Sequence, residues 1–243
     1  MSFDSSHNDS SWSRPGYRSG VSVGVDIGLR QYMLRVYNFM AAALGLTGLV
    51  AYAAAASGFY QQIAGTPLIW LVMLAPIGVV LLLSFRIDRM SVGAAQAAFW
   101  GFAALMGLSL AGVFLLYTGV SVARVFFIAA ATFAATSLYG YTTRRDLSQF
   151  ASFLLMGLIG VVLASLVNVF LASSALQFAV SVIGVLVFTG LTAWDTQRIK
   201  EISVESDPGD PLTKKALMGA LALYLDFINL FVLLLQLTGQ RRD

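Results

Sequence analysis

Seven apolar segments follow one another along the chain, separated by short polar connections. They occupy residues 39–59, 67–85, 94–117, 121–141, 149–171, 175–195 and 216–237. A helix needs roughly 20 apolar residues to cross the hydrocarbon core of a bilayer. Such a helix also satisfies its backbone polar groups internally, as lipid requires. The pattern therefore predicts an all-α, polytopic membrane protein with seven transmembrane helices.

The amino-acid composition agrees with a membrane protein and excludes several kinds of functional site. Hydrophobic residues make up 58% of the chain and charged residues only 11%, against about 25% charged residues in soluble domains. There is no cysteine, and His7 is the one histidine, which excludes thiolate chemistry, disulfides and imidazole-based metal or catalytic sites. No glycine-rich nucleotide loop follows a strand, so we expect no cofactor. The net charge of +3 is typical of basic cytoplasmic loops in a membrane protein, so we also expect no nucleic-acid partner.

The chain divides into a polar N-terminal segment and a membrane domain. Residues 1–29 are rich in Ser, Gly and Asp, which predicts a disordered cytoplasmic tail. Residues 30–243 then form the seven-helix membrane domain.

Basic residues predict the orientation of the helices. With seven crossings, 12 of the 15 lysines and arginines fall on the side of the N-terminus, and Arg124, Arg241 and Arg242 fall on the other. Cytoplasmic loops carry an excess of Lys and Arg, so the N-terminus is expected to be cytoplasmic. Arg241 and Arg242 leave one alternative open, in which the last segment is re-entrant and the C-terminus is inside. We favour seven full spans.

Asp226 lies in the middle of the last apolar segment. A charge at such a depth costs roughly 2.5–3.5 kcal/mol on insertion scales, and intramembrane ionisable residues usually face a bundle interior and serve a function. Small and polar residues share its helical face, which predicts that the last helix is central in the bundle. This stripe consists of Gly219, Ala222, Asp226, Asn229, Leu233 and Gln236.

Asp195 closes the sixth segment, and Thr192 shares its face. Because the sixth and seventh helices are successive and antiparallel, both carboxyl groups can approach each other in the cytoplasmic half. Two carboxylates that share a site cannot both ionise cheaply. Such a pair can hold a proton, make transient contact with a hard cation through its oxygens, or perform acid–base chemistry.

Structural alternatives exist for each charged residue. Asp195 can simply cap the helix interface, with Arg198 on the next turn, and Asp226 can serve packing alone through a hydrogen bond or ion pair. Arg86 and Arg89 end the second span, where most arginines extend to the membrane surface and set topology. A less common role for either arginine is a latch that pairs with Asp195.

Two segments resemble the signatures of a known family. Residues 223–231 (LYLDFINLF) and 194–199 (WDTQRI) are similar to those of the Bax inhibitor-1, or transmembrane Bax inhibitor motif, family, and residues 83–87 (LSFRI) are similar less specifically. The resemblance covers roughly residues 25–240.

The resemblance implies a seven-helix bundle with a central last helix and a pH-sensitive leak path for calcium. By motif, Asp195 and Asp226 would be the proton sensor, and Arg86, or else Arg89, the latch. Family members often carry an arginine ten residues after the last aspartate, where this chain has Gln236. The short loops are typical of a bacterial member in the inner membrane.

These observations favour a pH-sensitive calcium or cation leak channel of the inner membrane, gated by an aspartate pair. It would not be an enzyme, and its partners would be calcium, protons and the lipid bilayer. Asn229, Gln236 and Thr192 would support the pair. One alternative is a regulator of a membrane protease or stress response that captures its partner through residues 1–29. Another is an intramembrane aspartyl protease, although Leu223-Tyr224-Leu225 precedes Asp226 in place of Gly-x-Gly.

Overall fold

The computed structural model describes residues 17–204 and 209–242, with side chains for 27–202 and 209–242. Seven helices in this part of the chain are long and apolar enough to cross a membrane, which confirms the predicted fold class. A single 3-10 turn, Ile87–Arg89, follows the third helix. The helices are α1 Tyr17–Ala56, α2 Phe59–Ala64, α3 Leu68–Arg86, α4 Val92–Leu116, α5 Gly119–Thr142, α6 Ser148–Leu171, α7 Ser174–Val204 and α8 Asp210–Thr238.

The first helix begins earlier than the apolar segment 39–59 indicates. Arg30 and Arg35 interrupt the apolar pattern, but their side chains are exposed while Tyr32 and Val36 between and beside them are buried. A continuous helix can therefore include both arginines. It also takes in residues 17–29, which the sequence assigns to the tail, while residues 1–16 lie outside the described part of the chain.

The sixth span also extends beyond its predicted end. α7 continues to Val204, so Asp195 lies within the helix and not at its end. Charged residues such as Arg198 and Lys200 end the apolar segment in the sequence, but they do not end the helix, because Arg and Lys both have good helix propensity.

The last helix occupies the centre of the bundle, as predicted. The most apolar stretch of α8 is 67% buried, against 11% for α3 and 6% for α6. α8 packs against α1, α4, α5 and α7, while α3 lies outside on α4 and α6 outside on α7. Most of the buried core therefore surrounds α8.

α8 runs unbroken from one face of the bundle to the other. The residues after it pair with the α4–α5 turn: the Thr118 amide donates to the Gln240 carbonyl at 3.0 Å, and the Arg242 amide donates to the Leu116 carbonyl at 2.9 Å. This turn lies at the end of the bundle away from the α7–α8 connection, so α8 runs the whole length of the bundle and does not turn back within it. We call the end that carries the α7–α8 connection the basic face, and the other end the opposite face.

Two glycines allow close packing around α7. A Cβ at position 140 would overlap the carbonyl oxygen of Ala193, and a Cβ at Gly219 would lie 3.2 Å from Ile199. Small residues let membrane helices approach closely, and association then depends on van der Waals contact. α5 and α8 are thereby held against the part of α7 that carries Asp195.

Replacing Gly140 with alanine should separate α5 from α7, because the added methyl group meets backbone that cannot rotate away. We expect Gly140→Ala to destabilise the protein by about 1–3 kcal/mol, as overpacking usually does. Thermal unfolding in detergent micelles measures this. Gly101→Ala is the matched control, since a Cβ there has no neighbour within 4 Å; equal stability of the two variants would contradict the packing argument.

Candidate functional site

Asp195 of α7 and Asp226 of α8 face each other, with their carboxyl groups within hydrogen-bonding reach. Asp226 is only 5% exposed, and Asp195 is half-buried. An ionised carboxylate is an acceptor only, so two carboxyl groups can form a hydrogen bond only when one of them carries a proton. Among the described residues, Asp226 Oδ2 is buried and has no hydrogen-bond partner. We call these two residues the aspartate pair.

A cavity of about 460 Å³ leads from the basic face towards this pair. Asp195 lies in its lining, and the α8 part of its wall includes Gly219 and Ala222, about two turns and one turn before Asp226. The rest of the wall is largely apolar. We call this space the basic cavity, because its charged lining residues besides Asp195 are Asp88, Arg198, Lys214 and Lys215.

One cation near Asp195 stands on α7 itself. Arg198 lies within electrostatic range of Asp195, and its guanidinium group also lies over the Trp194 ring, 5.4 Å from the centroid. Lys214 donates to the Asp88 carbonyl oxygen at 3.2 Å, which ties the start of α8 to the turn after α3. Arg198 therefore lies near Asp195, on the next turn of α7, as its position in the sequence indicates.

The predicted arginine latch is not formed in this structure. The Arg86 and Arg89 side chains are exposed, and within residues 27–202 and 209–242 neither makes a hydrogen bond or ion pair with the aspartate pair. The reason is the 3-10 turn after α3, which buries Ile87 in the wall of the basic cavity. Arg86 and Arg89, at the two ends of this short stretch, do not line the cavity.

The three polar residues predicted to support the pair form their hydrogen bonds elsewhere. Thr192 is fully buried and donates to the Phe188 carbonyl at 2.8 Å. Asn229 donates to the Leu225 carbonyl at 2.8 Å. Gln236 is exposed and accepts a hydrogen bond from Ser181 at 3.0 Å. Ten residues of helix place Gln236 about 15 Å along the axis from Asp226, too far to support it.

A chain of hydroxyl groups beside Asp195 is not evident from the sequence. Tyr37 of α1 lies 2.5 Å from Ser137 of α5, and Ser137 lies 2.9 Å from Thr196 of α7. Thr196 donates its one hydroxyl proton to the Thr192 carbonyl at 2.7 Å. Ser137 must therefore donate to Thr196, and Tyr37 to Ser137, which fixes the direction of the chain. The one sequence signal for this chain of hydroxyl groups was that Thr196 directly follows Asp195.

A second hydroxyl contact joins α8 to α1. Tyr224, fully buried two residues before Asp226, lies 2.7 Å from Thr47 of α1, which donates to the Ala103 carbonyl of α4 at 2.8 Å. Tyr224 must then be the donor to Thr47. The two contacts together fix α7 and α8 relative to α1, α4 and α5.

Removing the Thr196 hydroxyl should leave the buried Ser137 donor without its acceptor. We expect Thr196→Val to cost about 1–3 kcal/mol of stability, the usual penalty for an unsatisfied buried group. Chemical unfolding in micelles would measure this. Thr189→Val is the control, because Thr189 donates only to the Val185 carbonyl of its own helix and its loss should cost little. Equal stability of the two variants would show that Thr196 is not the acceptor that Ser137 needs.

Comparison with known proteins identifies the family of this chain. A family profile described as "Inhibitor of apoptosis-promoting Bax1" matches residues 29–243. Inner membrane protein YbhL of Escherichia coli K12 is 46% identical over 229 residues, covering 93% of this chain and 98% of that protein. The protein RP147 of Rickettsia prowazekii is 49% identical over 219 residues, covering 90% of this chain and 93% of that protein. The chain therefore belongs to the Bax inhibitor family of membrane proteins, and its bacterial relatives include a protein of the inner membrane.

Proposed function

We propose that this protein is a pH-sensitive cation leak pathway of the inner membrane, and that the aspartate pair gates it. The observation that carries the proposal is the meeting of two acidic groups on successive membrane-crossing helices, of which Asp195 lines the basic cavity and Asp226 is buried. Ionisable groups at such a depth usually belong to ion or proton pathways. The basic face is proposed to be cytoplasmic, since it carries most of the lysines and arginines.

Calcium is the favoured ion because carboxylate oxygens are the ligands that hard cations prefer. Ca²⁺ takes 6–8 oxygen ligands, whereas two carboxyl groups supply at most four. Within the described residues no group of three or more acidic, histidine or cysteine side chains could hold a metal ion. A site of this kind suits a passing ion that keeps part of its water shell better than a resident one.

Protons and cations would compete for the same oxygens. While a proton joins the two carboxyl groups, it also joins α7 to α8. Its removal leaves two negative charges, which at about 4 Å repel by about 4 kcal/mol at an effective dielectric constant of 20. A cation between the carboxylates can offset that repulsion. The state of the pair thus biases the arrangement of two adjacent helices, as a two-state switch requires.

Other charged and titratable groups face the same space and contribute to its field. Tyr32 lines the basic cavity from α1, and Asp88 lines it from the turn after α3. Arg198 stands on α7, while Lys214 and Lys215 stand on the first turns of α8. Of the aspartate pair, Asp195 lines this cavity, while Asp226 is buried and contacts Asp195. An ion in the cavity would therefore meet the pair through Asp195.

The double variant Asp195→Asn with Asp226→Asn tests the gate, because asparagine resembles a protonated carboxyl group in shape and lacks its charge. Calcium flux into proteoliposomes that contain a calcium-sensitive dye should become independent of pH and equal the acid limit of the unmodified protein. Each single variant keeps one titrating carboxyl group and should keep a residual pH dependence.

Asp146→Asn is the matched control for this experiment. Asp146 is an exposed acid in the α5–α6 connection, at the same face of the bundle, and its Oδ1 accepts from the Ser148 amide. Its replacement removes the same charge and should leave the pH profile unchanged. Flux and pH dependence that survive intact in the double aspartate variant would show that the pair is not the gate.

A further inference from the structure

A groove of about 480 Å³ lies on the outside of the bundle, between α1 and α4. The two helices pack directly on each other, and the Phe39 ring of α1 lies 6.2 Å from the Trp100 ring of α4, measured between centroids. We call this space the α1–α4 groove. Its lining combines polar and apolar side chains and includes Gln31, Leu34, Arg35, Asn38, Phe39 and Trp100.

The α1 side of this groove is polar near the basic face and apolar farther from it. Gln31, Arg35 and Asn38 follow one another at steps of four and three residues, so they share one face of α1. Arg35 donates to the hydroxyl of Thr213, which stands on the first turn of α8, at 3.2 Å. Ala42, about 10 Å farther along α1 than Arg35, continues the same lining with apolar surface.

Several hydrogen-bond donors of the groove have no protein acceptor. The side chains of Gln31 and Asn38 are exposed, and neither makes a hydrogen bond within residues 27–202 and 209–242. The indole N–H of Trp100 has no acceptor there either, and Arg35 uses one of its five N–H donors on Thr213. Asn38 borders the apolar segment 39–59, and no water is available inside the hydrocarbon core to replace a protein partner. Lipid headgroup oxygens are the acceptors that this depth of the bilayer supplies.

The charge of the groove selects among lipid headgroups. Arg35 is the one charged residue in its described lining, and no acidic side chain lines it. The guanidinium group presents a fork of donors that fits phosphate oxygens, and basic pockets between membrane helices bind anionic headgroups. A zwitterionic headgroup brings an additional cation, for which this lining has no counter-charge.

We infer that the α1–α4 groove binds an anionic phospholipid from the leaflet at the basic face. Arg35 and Asn38 hold its phosphate, and the apolar surface around Phe39 contacts the beginning of one acyl chain. Because Arg35 also donates to Thr213, the lipid connects α1 and α4 with the start of α8. This site is separate from the aspartate pair and does not depend on the proposed leak.

Native mass spectrometry of the full chain in detergent micelles tests the site, because it counts bound lipids and copies of the chain together. Phosphatidylglycerol is the anionic probe, and phosphatidylethanolamine with the same acyl chains is the zwitterionic one. We expect phosphatidylglycerol to bind roughly fivefold more tightly, the effect of one basic residue on an anionic lipid. Arg35→Gln should remove this difference. Asn38→Leu should weaken phosphatidylglycerol binding about two- to tenfold, the effect of one hydrogen bond.

Arg30→Gln is the matched control. Arg30 is exposed on the same helix and carries the same charge, but it lines a groove between α1 and α5 instead. Its replacement should leave the binding of both lipids unchanged. Equal binding of the two lipids to the unmodified protein would overturn the inference. An equal loss in Arg30→Gln and Arg35→Gln would also overturn it, because the attraction would then belong to the whole basic face.

The same spectra distinguish a lipid from a second copy of the chain. A dimer that Asn38→Leu abolishes, with no lipid bound to the monomer, would assign the groove to a protein interface and overturn the inference. If Arg35→Gln does not fold because its contact with Thr213 is lost, Asn38→Leu leaves that contact intact and provides the test alone. Unchanged phosphatidylglycerol binding in Asn38→Leu would then reject the site.

Discussion

The burial of an acidic side chain inside a membrane-crossing helix is the constraint on which this structure depends. Asp226 is 5% exposed at the middle of α8, and its charge could not be left against lipid without a penalty of roughly 2.5–3.5 kcal/mol. Placing α8 at the centre, with four helices around it, removes Asp226 from lipid. Placing Asp195 against it provides a partner that can share a proton. The central position of α8 and the contact between Asp195 and Asp226 therefore both follow from the need to keep the Asp226 carboxyl group away from lipid.

Close packing turns this solution into a defined geometry. Gly140 allows α5 to reach the backbone of α7 at Ala193, and Gly219 allows α8 to approach Ile199. Two hydroxyl contacts then fix the positions of these helices along their axes, which packing of small residues alone would leave free to shift. Ser137 and Thr196 join α5 to α7, and Thr47 joins α1 to Tyr224 of α8. Both contacts are next to the aspartate pair along the chain, since Thr196 directly follows Asp195 and Tyr224 precedes Asp226 by two residues.

Hydropathy predicted the spans, because burial in lipid leaves a long and simple pattern in the sequence. The face around Asp226 predicted the central helix, and the order of the last two helices predicted that Asp195 and Asp226 can approach each other. The finer contacts depend on tertiary structure. The sequence did not reveal that Ile87 would turn inward and leave Arg86 exposed, nor that Gln236 would bond to Ser181. The hydroxyl chain from Tyr37 joins residues that are 100 and 59 positions apart, a separation that periodicity cannot show. α7 continues past Asp195 because the charged residues that end the apolar segment, such as Arg198 and Lys200, are compatible with a helix.

The central claim is that Asp195 and Asp226 hold one proton between them when α7 and α8 are in the arrangement seen here. Infrared difference spectroscopy measures this directly, because a protonated carboxyl group absorbs apart from a carboxylate. Spectra of the unmodified protein in lipid vesicles at neutral pH should contain a protonated-carboxyl band that disappears in Asp226→Asn and persists in Asp146→Asn. A spectrum without that band, or one in which Asp226→Asn leaves it unchanged, would contradict the account.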